Sequence, residues 1–135
     1  MSGGLVGIVL VSHSAAVADA VGGLAKGLAA GGAVAPVAPA GGTPDGGLGT
    51  SSDLIAAAAR SVDQGAGVAV LADLGSAVLT VKAMLADEDE LPPGTRLVDA
   101  PFVEGAVAAV VTASAGADLA AVVAAAEEAY TYRKV

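Results

Sequence analysis

The stretch GIVLVSHS, Gly7 to Ser14, decides how the chain is read. Leu5 to Val11 is an unbroken apolar run, far too short to span a bilayer and without a basic leader, so it reads as neither anchor nor signal peptide. Such a run is the pattern of a strand buried on both faces, as in a parallel sheet. His13, the only histidine of the chain, stands where the run ends.

Outward from this strand, helix and strand patterns alternate about every 30 residues. Ala15 to Ala30 reads as a helix of small residues, closed by Gly31-Gly32. Ala33 to Ala38 reads as a second strand, with Pro36 inside it and Pro39 after it, which restricts it to a sheet edge. The glycine-rich PAGGTPDGGLGTSSD follows, and Thr50, Ser51 or Ser52 caps the next helix, which stops at Gly65. GVAVLAD, ending in Asp73, is a third strand. A helix from about Ser76 then carries Leu74, Val78, Val81 and Leu85 at the spacing of one buried face.

DEDE and PPG make a solvated loop, TRLVDAP a fourth strand ending near Asp99, and two alanine-rich helices flank Gly116-Ala117-Asp118. Glu104 and Asp118 interrupt the apolar stretch from Phe102 to Ala126, which reads as these two helices rather than as a membrane span. Glu104 itself reads as a first-turn residue facing the helix dipole. The tail YTYRKV alternates as a strand does, and equally suits a disordered terminus. The expected fold is α/β: an open, mainly parallel, doubly wound sheet of order 2-1-3-4 with helices on both faces. Without an internal repeat or linker, residues 1–135 read as a single domain.

Composition narrows the function. Six basic against fourteen acidic residues give a net charge of −8, which excludes nucleic acid and anionic membrane surfaces as partners. One histidine and no cysteine leave neither disulfide nor thiolate chemistry, no metal site and no cofactor motif, and fit a soluble cytoplasmic protein.

In the order 2-1-3-4 the winding reverses between strands one and three, and ligands bind outside the carboxyl ends of the strands at that point. His13 follows strand one and Asp73 ends strand three, so topology makes them neighbours. An aspartate accepting from one imidazole nitrogen leaves the other as a lone-pair nucleophile or base, which is Nε2 if Asp73 takes Nδ1. Two helix starts, GGLGTSS and DLGSA, offer amide N–H groups at the same rim, which suits a phosphoryl group. Read singly, His13 is equally a structural histidine, Asp73 a helix cap, and the two glycine-serine/threonine segments ordinary turns; their convergence carries the reading.

Ser12 and Ser14 flank His13, yet adjacent side chains on extended backbone diverge and no G-x-S-x-G elbow occurs, which disfavours a serine hydrolase. No P-loop lysine motif and no dinucleotide fingerprint is present. Histidine-based phosphoryl transfer is the chemistry that remains.

GIVLVSHS, GGTPDGGLGTS, LADLGSA and APFVEGAVAA, in that order, resemble the mannose-type enzyme IIA family of the phosphotransferase system, and within it the phosphocarrier subunits of phosphoenolpyruvate-dependent dihydroxyacetone kinase. The resemblance spans about residues 5 to 120. It implies a cytoplasmic homodimer phosphorylated on His13, with HPr as donor, ADP bound in the DhaL subunit as acceptor, and DhaK holding dihydroxyacetone. It also implies that Asp73 orients His13 and that Gly49, Thr50, Gly75 and Ser76 line the phosphoryl site. Some members fuse HPr-like and enzyme I-like domains to this one, whereas this chain ends at Val135, so its donor is expected to be a separate protein. A mannose-type sugar-transporter subunit and a non-catalytic anion-binding or regulatory module remain the alternatives.

Overall fold

Along the first strand, Ile8 and Leu10 point into one apolar cluster and Val9 and Val11 into another, so both faces of the sheet are covered. The computed structural model describes residues 4–135 and contains four parallel strands in the order β2-β1-β3-β4. These are β1 (Gly7–Ser12), β2 (Val37–Gly41), β3 (Val68–Ala72) and β4 (Thr95–Leu97). Helices α1 (Ala15–Leu28), α4 (Phe102–Ser114) and α5 (Leu119–Glu128) supply the cluster on the Ile8/Leu10 face. Helices α2 (Ser52–Val62) and α3 (Gly75–Leu85) cover the Val9/Val11 face. This is the α/β architecture and strand order expected from the sequence.

The second strand lies further along the chain than Ala33–Ala38, and Pro39 is inside it, paired with Leu10. Gly42 N–H donates to the Ser12 carbonyl, so by the two-residue period position 39 turns its missing donor to the open edge of the sheet, where no ladder bond is lost. Pro36, just before the strand, accepts from Ile8 N–H. The expected buried face of the third helix is also corrected. Ala77, Val81 and Met84 are buried, whereas Leu74 is the N-cap residue and points to solvent. The first strand-like residue after Asp73 misled the phase of the pattern.

The fourth strand stops at Leu97, short of Asp99, which instead accepts from the Tyr130 hydroxyl at 3.1 Å. Glu104 does lie in the first turn of α4 and also meets Lys134 at 2.7 Å. The tail is not a strand: Ala129–Thr131 forms a 3-10 turn and no regular element follows. Among the described residues no helix is long and apolar enough to cross a membrane.

Two connections at the carboxyl end of the sheet are tight. A Cβ on Gly41 would collide with the Ser14 carbonyl oxygen and the Ala15 Cα, which are backbone atoms that cannot swing aside. Gly41→Ala is therefore expected to destabilise the protein by about 1–3 kcal/mol, measured by chemical denaturation.

Candidate functional site

The polar crevice forms where β1 and β3 end side by side. The ladder pairs Val11 with Ala72, and Asp73 N–H continues it to the Val11 carbonyl. His13 and Asp73, 60 residues apart in sequence, are thereby brought into contact by two adjacent strands that end at the same level.

Asp73 collects four donors. Its Oδ1 accepts from His13 Nδ1 at 2.9 Å and from Leu74 N–H at 2.7 Å. Its Oδ2 accepts from the Ser12 hydroxyl at 2.8 Å and from His13 N–H at 3.1 Å. Partial burial raises the pKa of this carboxyl, and the bonds from the His13 ring, the Ser12 hydroxyl and the two backbone amides outweigh that, holding it below the ordinary 3.8. The native state thus binds the Asp73 proton more weakly than the unfolded chain. Its contribution to stability is complete above pH about 3.8 and is lost as pH falls through the lower folded value. The slope of stability against pH below 3.8 should accordingly be shallower in Asp73→Asn than in the wild type, as read by thermal melts at stepped pH.

Because an ionised carboxylate only accepts, His13 Nδ1 carries the ring proton and Nε2 presents its lone pair. Ser76 Oγ stands 2.5 Å from Nε2 and donates to it. Ser76 is at the first turn of α3, whose N-cap residue Leu74 supplies no side-chain cap. Ala77 and Val78 N–H both turn back to the Leu74 carbonyl, while Gly75 and Ser76 N–H precede any intrahelical acceptor and lie at the positive end of the helix dipole. Gly75 has open space where a Cβ would stand, leaving the approach to these amides clear.

The glycine-rich loop forms the opposite wall. Thr43, Asp45 and Gly47 knit it together, with Thr43 Oγ1 donating to Asp45 and Gly47 N–H donating to both side chains. Gly49, at φ 140°, donates its N–H to the His13 carbonyl at 2.9 Å. That amide is therefore committed to the protein itself. Thr50 hydrogen-bonds not to His13 but to Thr80, at 3.3 Å, whose hydroxyl also donates to the Ser76 carbonyl.

Of the residues expected at the site, Asp73, Ser76 and Gly49 thus bond His13 directly, Gly75 precedes Ser76 at the start of α3, and Thr50 connects to Ser76 through Thr80. Ser51 caps α2 by accepting from Leu54 N–H. Ser14 caps α1, and neither flanking serine bonds the imidazole ring. Ser12, a secondary hydrogen-bonding group by its place beside His13, is the one fully buried polar side chain among the described residues and bonds Asp73; sequence reasoning missed Thr80, although its place four residues after Ser76 on one helix was a usable signal. No group of three or more metal-ligating side chains occurs among the described residues.

A parallel sheet that delivers one histidine and its carboxylate partner to the switch point, beside a helix N-terminus, is the arrangement of an enzyme IIA-type component of the phosphotransferase system. The chain belongs to the mannose-type enzyme IIA family: residues 7–123 match EIIA-man, described as PTS system fructose IIA component. It is similar to the phosphoryl donor subunit DhaM of the PEP-dependent dihydroxyacetone kinase of Escherichia coli, with 35% identity over 85% of this chain and 25% of that protein. The corresponding Pantoea ananatis subunit is 37% identical over 88% of this chain and 26% of its own length. The chain therefore spans about a quarter of these two relatives. A Listeria innocua protein, phosphoryl donor subunit DhaM of PEP-dependent dihydroxyacetone kinase 2, is 34% identical over 79% of this chain and 85% of its own length. The crystal structure of EF1359, a protein of unknown function, superposes with a TM-score of 0.76 at 34% identity, covering 92% of this chain and 94% of that one.

Proposed function

We propose that residues 1–135 act as one phosphohistidine carrier domain, in which His13 Nε2 accepts a phosphoryl group from HPr and passes it to ADP bound in DhaL, for phosphorylation of dihydroxyacetone held by DhaK. The single observation behind this reading is the polarised imidazole: Asp73 Oδ1 on Nδ1 at 2.9 Å, with the lone pair of Nε2 accepting from the Ser76 hydroxyl at the start of α3.

The lone pair attacks phosphorus. The Nε2–P bond forms as the bond from phosphorus to the donor's leaving atom breaks, and that bond's electron pair departs with the donor. The product imidazolium keeps its Nδ1 proton, and Asp73 offsets its charge. The Ser76 hydroxyl, which donates to Nε2 beforehand, turns to a phosphoryl oxygen, where the Gly75 and Ser76 amides join it. Transfer onward reverses these events: an oxygen of the ADP β-phosphate attacks, the Nε2–P bond breaks, and its electrons return to the ring.

The names of the DhaM relatives support the dihydroxyacetone kinase assignment. The family description supports a second reading, an enzyme IIA of a sugar transporter. The cytoplasmic homodimer implied by the resemblance belongs to the same proposal. The test is incubation with phosphoenolpyruvate, enzyme I and HPr, followed by mass spectrometry. One acid-labile phosphate is expected, and its discharge on adding DhaK, DhaL, ADP and dihydroxyacetone. Label that forms but survives that addition favours the sugar system, and absence of label overturns the carrier reading.

A further inference from the structure

Hydrogen bonds tie the two walls of the crevice together at two places. One is His13 itself, which receives Gly49 N–H at its carbonyl from the glycine-rich loop and Ser76 Oγ at Nε2 from α3. The other is the 3.3 Å bond between Thr50 and Thr80, among the described residues the only hydrogen bond that runs directly from residues 42–51 to α3.

The direction of that second bond is fixed. Thr80 Oγ1 gives its single hydrogen to the Ser76 carbonyl at 3.0 Å, so the Thr50 hydroxyl is the donor to Thr80. A threonine within a helix commonly bonds the carbonyl four residues back and involves nothing else. Here a hydroxyl from the opposite wall joins it at a partly buried position, where water competes less for the pair. The bonds close a circuit from Gly49 to His13, Ser76, Thr80 and Thr50, the residue that follows Gly49.

Phosphorylation opens this circuit at one point. Once Nε2 carries the phosphoryl group, the Ser76 hydroxyl leaves the ring for a phosphoryl oxygen, and the tie through His13 is broken. The threonine bond then remains as the direct link between the walls, and it acts on Ser76, the residue whose hydroxyl and amide must meet the phosphoryl oxygens.

We propose that Thr50 and Thr80 are a positioning pair for phosphoryl transfer, fixing the first turn of α3 against the glycine-rich loop while the Ser76 hydroxyl exchanges Nε2 for a phosphoryl oxygen. This rests on the carrier reading above. Both threonines act through Ser76, so their loss slows the transfer step and leaves recognition of the donor unchanged.

Thr50→Val, Thr80→Val and the double variant remove the hydroxyls and keep the branched shape, whereas Thr80→Ser keeps the hydroxyl. Single-turnover labelling by phosphorylated HPr over a range of HPr concentrations separates transfer from binding. The saturating rate is expected to fall about tenfold in each single variant and no further in the double, at an unchanged half-saturating HPr concentration, with Thr80→Ser within about twofold of wild type. Phosphorus NMR should show a displaced phosphohistidine resonance in Thr50→Val and not in Thr80→Ser. Thr50 lies outside any helix, so Thr50→Val decides alone should Thr80→Val fail to fold. A wild-type saturating rate or an undisplaced resonance in Thr50→Val, or falls that multiply in the double variant, overturns the positioning pair. Failure of the wild type to take label from phosphorylated HPr would instead overturn the carrier reading.

Discussion

His13→Ala takes up no phosphate from phosphoenolpyruvate, enzyme I and HPr, and keeps the wild-type fold. The loss is complete because His13 is the only histidine and no cysteine is present to substitute as a nucleophile. Neither neighbouring serine can stand in, since the Ser12 hydroxyl is spent on Asp73 and Ser14 caps α1. The fold survives because Asp73 retains three of its four donors, from Ser12, the residue-13 amide and Leu74. The expected cost is about 1 kcal/mol, from two ring hydrogen bonds at a position that is only partly exposed. Mass spectrometry of the labelling mixture and a thermal melt of the same sample check both halves.

Asp73→Asn is expected to slow phosphorylation on the order of 10³–10⁴-fold and to destabilise the fold by about 1–3 kcal/mol. Each carboxylate oxygen accepts from two donors: His13 Nδ1 and Leu74 N–H at one, Ser12 Oγ and His13 N–H at the other. An asparagine must place its NH₂ against one of these pairs, leaving a backbone amide without an acceptor in either orientation. With the NH₂ toward His13, the ring relieves half of the conflict by moving its proton to Nε2. That tautomer has no lone pair to offer phosphorus. Nitrogen NMR of the variant should show protonated Nε2, alongside the slowed labelling; a wild-type tautomer with a wild-type rate would contradict the role given to Asp73.

The strand order and the meeting of His13 with Asp73 were legible because they depend on coarse properties. An unbroken apolar run at Leu5–Val11, a second at 67–72 and a proline-bearing strand between them leave few ways to assemble a parallel sheet. What was not legible depends on register and phase. Ala33–Ala38 has a strand's composition, but the strand is fixed by hydrogen bonds to β1, which begin with the Pro36 carbonyl and run on past Pro39. The buried face of α3 was misjudged because Leu74 is large and apolar at a position where the chain has not yet turned helical.

The same limit applied at the crevice. Glycine, serine and threonine near a helix start announce donors, but not which of them the protein itself consumes. Gly49 gives its amide to the His13 carbonyl and Thr50 its hydroxyl to Thr80, while Gly75 and Ser76 remain turned to the crevice. Ser12 reads from the sequence as a secondary hydrogen-bonding group beside His13, but that its partner is Asp73 and that it is fully buried appear only in the fold.

Phosphorus–nitrogen correlation NMR of the phosphorylated, nitrogen-labelled protein tests the central claim most directly. The account predicts a single phosphoryl group on Nε2 of His13, with the Nδ1 proton retained against Asp73. Phosphate on Nδ1, or on any residue other than His13, would contradict it.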